Sequence, residues 1–167
     1  MKPDRYPVGG PWPGQLAVMP RPRGGDWLED EVRGWRAASI ETVVSLLTPV
    51  EVGELELGDE QRLCLESQIR FVSFPIEDRD VPVCAADFTD LVTDILSSLN
   101  AGASVAVHCR QGIGRAGLVA VGLLIRAGLT PPEAVQQVSD ARGRPVPETP
   151  KQHEWVERLA VSPTPAE

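Results

Sequence analysis

The chain has 167 residues, of which 42% are hydrophobic and 24% are charged, as expected for one globular domain. Its 16 Lys and Arg against 24 Asp and Glu give a formal net charge of -8, which disfavours nucleic acid and anionic membranes as partners. The longest apolar run, residues 116–125, is too short to span a bilayer, and the first residues contain no apolar segment of signal-peptide length. We therefore expect a cytoplasmic protein whose three cysteines are free thiols.

The first part of the chain alternates proline-rich and apolar segments. Residues 1–15 contain four prolines and are expected to form an irregular lead-in. Residues 16–19 predict a short edge strand, and Asp26 is the expected N-cap of a helix that continues to about Ala38. Residues 42–47, which are rich in Val and Leu, predict a buried strand.

The rest of the chain alternates predicted helices and strands. A polar helix over about 59–68 leads into a strand over 70–76. Between residues 88 and 99, apolar residues recur at helical spacing on one continuous face, which is the clearest helix signal in the chain. Residues 104–108 predict a short strand of the parallel-sheet type. Further helices are predicted over 115–127, 131–142 and 150–160.

Strands that alternate with helices are typical of an α/β protein. We therefore predict a single domain over residues 16–160, with a central, mostly parallel sheet that is flanked by helices on both faces. No internal repeat and no second domain are evident in the sequence. The tail, residues 161–167, is predicted to be disordered.

The clearest chemical signal is the segment His-Cys-Arg-Gln-Gly-Ile-Gly-Arg, residues 108–115. It joins a predicted strand to a predicted helix, and α/β sheets bind ligands just beyond the carboxyl ends of their strands. Gly112 and Gly114 permit positive φ angles that turn backbone N–H groups inward, and such groups together with a helix N-terminus form an anion site. This field favours the thiolate of Cys109, and Arg115 carries a planar fork that can bind two phosphate oxygens.

The pattern His-Cys, five residues, Arg resembles the signature of the protein tyrosine and dual-specificity phosphatase superfamily. Upstream, Phe-Pro-Ile-Glu-Asp-Arg-Asp-Val-Pro, residues 74–82, resembles the mobile general-acid loop of that superfamily. The resemblance spans residues 16–159 and points to the compact kinase-associated phosphatase type, whose relatives include many bacterial proteins of this length. It implies the cysteine-dependent phosphatase fold.

The resemblance also implies roles for individual residues. Cys109 would be the nucleophile that forms a phosphocysteine intermediate, and Asp78 would be the general acid and afterwards the base toward water. His108 would orient the cysteine and its loop, and Gln152 would act in packing or loop support. No metal and no organic cofactor are implied. The implied phosphate-binding residues are those of the loop, Arg110, Gln111, Gly112, Ile113, Gly114 and Arg115.

Two assignments have alternatives at this stage. Asp80 and Glu77 compete with Asp78 as the general acid, because all three precede the proline that ends the loop. Asp80 is the main alternative, because a slip of the loop would exchange it with Asp78. Glu51 and Glu54 follow the first core strand, where they either form an ion pair with Arg115 or lie on a solvated helix face.

The function implied by the resemblance is hydrolysis of phosphate monoesters in phosphorylated proteins or peptides by a monomer. A chain of 167 residues lacks the extra elements that deepen the pocket of larger tyrosine-specific enzymes, which favours dual specificity for phosphotyrosine and phosphoserine or phosphothreonine. One residue departs from the superfamily pattern, which usually has Ser or Thr after the arginine where this chain has Ala116. Since that hydroxyl is expected to assist the departing thiolate, the alternative function is a phosphoprotein-binding module with very slow turnover.

Overall fold

A computed structural model describes residues 4–161, with side chains through Leu159. Within that range, five strands form one sheet. They are β1 (Tyr6–Val8), β2 (Gln15–Met19), β3 (Thr42–Ser45), β4 (Arg70–Ser73) and β5 (Ser104–His108). Their order across the sheet is β1-β2-β5-β3-β4, in which β1 is antiparallel to β2 and the other neighbouring pairs are parallel. The predicted mostly parallel sheet is confirmed.

Seven α-helices occur in the described range and pack on both faces of the sheet. They are α1 (Leu28–Ala37), α2 (Pro49–Glu54), α3 (Glu60–Glu66), α4 (Ala85–Asn100), α5 (Gly114–Arg126), α6 (Pro131–Arg142) and α7 (Pro150–Val161). Helices α1 to α3 enclose one apolar cluster against the sheet, and α4 to α7 enclose the other. The predicted single α/β domain with helices on both faces is confirmed. No helix between residues 4 and 161 combines the length and the apolar character that a membrane crossing requires.

The central strand β5 is buried on both faces. Val105 and Val107 belong to the cluster under α4 and α5, whereas Ala106 belongs to the cluster on the opposite face. This burial explains the continuous apolar run in the sequence, since successive side chains of a strand point to opposite faces. Because β5 lies between β2 and β3, the residues that follow it, from Cys109 onward, lie at the middle of the carboxyl edge of the sheet.

The N-terminal segment is more regular than the sequence predicts. Tyr6–Val8, within the predicted irregular lead-in, forms β1 and pairs with residues 16–18 of β2. Pro7 is compatible with this strand, because one side of an edge strand has no partner to which an N–H must donate. The prediction of an edge strand over residues 16–19 is therefore wrong, since β2 lies between β1 and β5.

Three local features also differ from the prediction. Asp26 is not an N-cap, because a 3-10 turn over Gly25–Trp27 comes first and α1 begins at Leu28. Helix α2 is missing from the prediction, in which Pro49 ends a strand; in the structure the proline begins a helix, where its missing N–H costs nothing. The predicted disordered tail lies outside the described residues except for Val161, which ends α7.

Candidate active site

Cys109 lies directly after β5, and α5 begins at Gly114. The cysteine is 3% exposed and lines a cavity of about 110 Å3. That volume is far below the roughly 300 Å3 at which pockets for larger ligands begin, so the cavity suits a group of phosphate size. The lining consists of Asp78, Arg79, Cys109, Arg110, Gln111, Gly114, Arg115, Glu148 and Gln152. It therefore brings together Cys109, Arg115 and Asp78, which are the predicted nucleophile, phosphate-binding arginine and general acid.

Residues 109–115 form the segment that we call the anion loop. Gly112 has a φ of 71°, in the region that favours glycine. A Cβ atom at this position would lie 2.5 Å from the carbonyl carbon and oxygen of Met19, so both the backbone angle and the space require glycine here. The loop thus lies directly against the end of β2, in a conformation that its sequence makes accessible.

The outer side of the anion loop is held by Arg142, at the end of α6. Its Nε donates to the carbonyl of Gly112 at 3.0 Å, and its Nη2 donates to the carbonyl of Gln111 at 3.1 Å. In a planar trans peptide the N–H points opposite to the C=O. The N–H groups of Gly112 and Ile113 therefore point away from Arg142. No local sequence motif marks Arg142 as a residue of the site.

Arg115 is 1% exposed and is held by a paired carboxylate. Its Nη1 and Nη2 donate to Oε1 and Oε2 of Glu51 at 2.6 and 2.9 Å, and Nη1 also donates to the carbonyl of Ile76 at 2.9 Å. Burial lowers the pKa of Arg115, but Glu51, Cys109 and Asp78 together outweigh burial and the net shift is upward. Of the two interpretations of Glu51, the ion pair with Arg115 is confirmed. Glu54 instead lies 3.8 Å from Arg110.

The position of Glu51 follows from a capping box at the start of α2. Thr48 Oγ1 accepts from the backbone N–H of Glu51 at 3.3 Å, and the backbone N–H of Thr48 donates to Glu51 Oε1 at 3.2 Å. The sequence Thr-Pro-Val-Glu, residues 48–51, carries this signal, with proline at the first helical position. Burial raises the pKa of Glu51, but Arg115 and Thr48 outweigh this effect, so its pKa lies below the ordinary value.

The two candidate general acids have different surroundings. Asp78 lines the cavity, is 55% exposed and has its Oδ1 3.2 Å from Arg115 Nη2. Asp80 is absent from the lining; its Oδ1 accepts from Lys151 Nζ at 2.6 Å and from the backbone N–H of Val81 at 2.7 Å. The hydrogen bond from Lys151 is the main cause of a lowered pKa for Asp80. The surroundings favour Asp78 as the group that faces a bound phosphate.

The acid loop, residues 74–82, is fastened to the start of α7. Gln152 Nε2 donates to the carbonyl of Asp80 at 3.0 Å, and Thr149 Oγ1 donates to the carbonyl of Arg79 at 3.4 Å. Gln152 is fully buried, and its Oε1 accepts from the backbone N–H of Thr149 at 3.1 Å. The expectation that Gln152 supports a loop agrees with these contacts. The same side chain also lines the cavity.

His108 connects the backbone of Cys109 to a buried carboxylate. Its Nδ1 lies 3.4 Å from the carbonyl of Cys109, and its Nε2 lies 2.5 Å from Glu60 Oε1. His108 is fully buried and Glu60 is 2% exposed, so their contact fixes the imidazole ring behind the loop, as expected of an orienting residue. Glu60 is not predicted from the sequence, because the polar segment around it is typical of a solvent-exposed helix.

The prediction of free thiols is confirmed for all three cysteines. Cys64 is fully buried, and burial raises the pKa of its thiol to about 12. Cys84 is exposed and precedes α4. Cys109 is the one cysteine among the residues that line the cavity.

The substitution Glu51→Gln is expected to destabilise the fold and to lower any activity that depends on Arg115. Removing one partner of a buried ion pair leaves the other charge uncompensated, at a cost of about 3 kcal/mol. The pKa of Glu51 is lowered in the folded state, so its contribution is present above the unfolded value near 4.5 and is lost as pH falls through the folded pKa. Urea unfolding at pH 7 and at pH 3 should show the stability gap between wild type and variant narrowing at the lower pH.

The matched control is Glu66→Gln, which removes an exposed carboxylate that pairs with Arg62 at 3.0 Å. This change is expected to have little effect at either pH, because exposed ion pairs contribute little. An equal loss of stability in both variants would contradict the assignment of Glu51 as the partner that holds Arg115.

Comparison with known families agrees with this geometry. Residues 12–161 match the family PTP-SAK, described as "Swiss Army Knife protein, DSP-PTPase phosphatase domain". The chain is 29% identical over 93 residues to "Putative tyrosine phosphatase 197R" of Invertebrate iridescent virus 6, and the match covers 52% of this chain. The matched region spans only 35% of that viral protein.

Solved structures show the same fold. A crystal structure of kinase associated phosphatase aligns with a TM-score of 0.87 at 18% identity, over 97% of this chain and 98% of that one. Tk-PTP in the active form aligns with a TM-score of 0.74 at 25% identity, over 96% of this chain and 99% of that one. With a family match over residues 12–161, this chain belongs to the dual-specificity and protein tyrosine phosphatase (DSP-PTPase) family of phosphatase domains.

Proposed function

We propose that this chain is a cysteine-dependent protein phosphatase that hydrolyses phosphate monoesters through a phosphocysteine intermediate. The observation that carries the proposal is one cavity of about 110 Å3 that is lined by Cys109, Asp78 and the buried Arg115. A nucleophile, an anion-binding fork and a carboxyl group are the groups that this reaction requires. The anion loop supplies further donors, because its N–H groups lie at the start of α5.

In the first step, the thiolate of Cys109 attacks phosphorus and the bond from phosphorus to the leaving oxygen breaks. Arg115 and the N–H groups of the anion loop bind the three non-bridging oxygens and stabilise the charge that develops on them. Asp78, in its protonated form, donates its proton to the leaving alcohol or phenol. Glu51 keeps the guanidinium in the orientation that this step needs.

In the second step, the carboxylate of Asp78 accepts a proton from water as the water oxygen attacks phosphorus. The bond between sulfur and phosphorus breaks, and Cys109 leaves as a thiolate. Inorganic phosphate then leaves the cavity. The products of the two steps together are the dephosphorylated substrate and phosphate, so protons and charges balance without a cofactor.

The proposed substrates are phosphorylated proteins or peptides that carry phosphotyrosine, phosphoserine or phosphothreonine. Asp78 is 55% exposed beside the cavity, which supports a shallow site that reaches a phosphate on a short side chain as well as on a long one. The proposed compartment is the reducing cytoplasm, because a thiolate nucleophile is readily oxidised elsewhere. The proposed catalytic unit is a monomer, since one chain supplies every group named above.

The alternative is a phosphoprotein-binding module with very slow turnover, which is favoured by Ala116 in place of a hydroxyl residue. The deciding experiment measures phosphate release from p-nitrophenyl phosphate and from a phosphotyrosine peptide, with wild type and Cys109→Ser. Steady release that Cys109→Ser abolishes supports the enzyme. Tight binding of the peptide by wild type without steady release supports the module.

Asp78→Asn is expected to lower kcat/KM, which reports the first step, strongly for substrates with poor leaving groups and only weakly for activated aryl phosphates. General acid catalysis contributes roughly 10²- to 10⁴-fold, and a nitrophenolate leaves without needing a proton. A phosphoserine peptide and p-nitrophenyl phosphate form the measured pair of substrates. Asp80→Asn is the matched control and is expected to leave the ratio of the two rates unchanged. A selective loss in Asp80→Asn instead would move the role to Asp80.

Ala116→Ser is expected to accelerate breakdown of the phosphoenzyme. Ala116 is fully buried directly after Arg115, and a hydroxyl there supplies a hydrogen bond to the departing thiolate. A hydrogen bond to a charged group contributes about 1.5 kcal/mol, which corresponds to roughly tenfold in rate. Rapid-mixing kinetics with p-nitrophenyl phosphate should show a burst in wild type and a smaller burst with a faster steady rate in the variant.

The control for this substitution is Ala120→Ser, one helical turn further along α5 at another fully buried position. It introduces the same hydroxyl away from the anion loop and is expected to leave the burst as in wild type. A single-phase time course in wild type, with an unchanged rate in Ala116→Ser, would contradict the slow second step.

A further inference from the structure

The anion loop depends on a backbone orientation that its own sequence does not secure. Gly112, with a φ of 71°, has no side chain to restrict rotation of the two peptide groups that flank it. A flip of either peptide would replace an N–H on the side away from Arg142 by a carbonyl oxygen, which would repel a bound anion. Something outside the loop must therefore hold these peptides in the orientation that binds phosphate.

Arg142 holds both of these peptides. It donates from Nε to the Gly112 carbonyl at 3.0 Å and from Nη2 to the Gln111 carbonyl at 3.1 Å. These carbonyls belong to the peptides on either side of the Gly112 Cα, so one planar guanidinium fixes both rotations at once. A lysine, which is a point charge on a flexible stem, could not reproduce this two-point geometry.

The guanidinium of Arg142 is itself held by Tyr6 of β1. Its central carbon lies 3.8 Å from the centroid of the Tyr6 ring, at a distance where cation–π attraction operates. Tyr6 pairs with Val18 of β2, and the Gln137 side chain of α6 donates to the carbonyl of Gly9, just after β1. The edge strand and α6 thus fix the stacked pair from both sides.

We propose that Arg142 is a positioning residue that fixes the anion-binding orientation of the loop, and that Tyr6 acts through it. The proposal rests on the proposed function, because it concerns how the same loop binds a phosphoryl group. Under this proposal, β1, at the edge of the sheet, helps to hold the anion loop in place through Tyr6. Neither residue contacts the reacting atoms.

The test measures binding of tungstate, a phosphate-like oxyanion, by calorimetry in a Cys109→Ser parent that cannot turn over. Arg142→Ala is expected to weaken binding about tenfold, because the two peptides become free to rotate. Arg142→Lys should recover only part of this loss, since one ammonium group does not span both carbonyls. Arg144→Ala is the matched control, because Arg144 is an exposed arginine two residues away, and it should bind tungstate as the parent does.

Tyr6 is tested in the same way. Tyr6→Leu is expected to weaken binding about threefold, and the conservative change Tyr6→Phe should recover most of that loss, because it keeps a ring over the guanidinium. In an Arg142→Ala background, Tyr6→Leu should have no further effect, since Tyr6 acts through the missing arginine. Thermal unfolding of each protein separates these effects from a general loss of stability, which would not depend on the background.

The outcomes separate the two proposals. Failure of the Cys109→Ser parent to bind tungstate would overturn the proposed function. Tungstate binding by the parent and, with equal affinity, by Arg142→Ala and Arg142→Lys would overturn only the positioning role. An effect of Tyr6→Leu that persists undiminished in the Arg142→Ala background would overturn the coupling between the two residues.

Discussion

A guanidinium that is 1% exposed is stable in a protein interior only when a carboxylate accompanies it. Glu51 meets this requirement for Arg115, with hydrogen bonds of 2.6 and 2.9 Å to its two oxygens. The ion pair joins the start of α2 to the start of α5, so it determines the orientation of the Arg115 guanidinium beside Cys109. Asp78 Oδ1 lies 3.2 Å from the same guanidinium. The geometry of the cavity therefore depends on one buried charge being held in one orientation.

The remaining support comes from three other helices, each of which contributes one side chain. Glu60 of α3 fixes the His108 ring behind Cys109, Arg142 of α6 holds the outer carbonyls of the anion loop, and Gln152 of α7 holds the backbone of the acid loop. All three bind backbone or another side chain, and Gln152 also lines the cavity. Such support is what keeps reactive groups within the narrow tolerances that catalysis requires.

The sequence identifies the part of the site that lies within one short segment. Cys109, Arg115 and the glycines between them are recognisable because their chemistry depends on residues that are adjacent in the chain. The choice between Asp78 and Asp80 is different, because the two lie in one loop and only the contacts of that loop with Lys151 and Gln152 distinguish them. Glu60 and Arg142 lie on helices whose sequences are typical of solvent-exposed surfaces. In the sequence, Glu60 lies 48 residues from His108, and Arg142 lies 30 residues from Gly112.

By itself, the sequence determined the alternation of helices and strands, the mostly parallel sheet and the anion loop after β5. Periodicity, turn residues and capping boxes act over a few residues, so the chain carries them locally. Only the tertiary structure decided that Tyr6–Val8 covers the edge of β2, that Glu51 rather than Glu54 pairs with Arg115, and that Asp78 lines the cavity. These outcomes depend on which distant surfaces meet when the helices pack, and no local pattern records which surfaces those are.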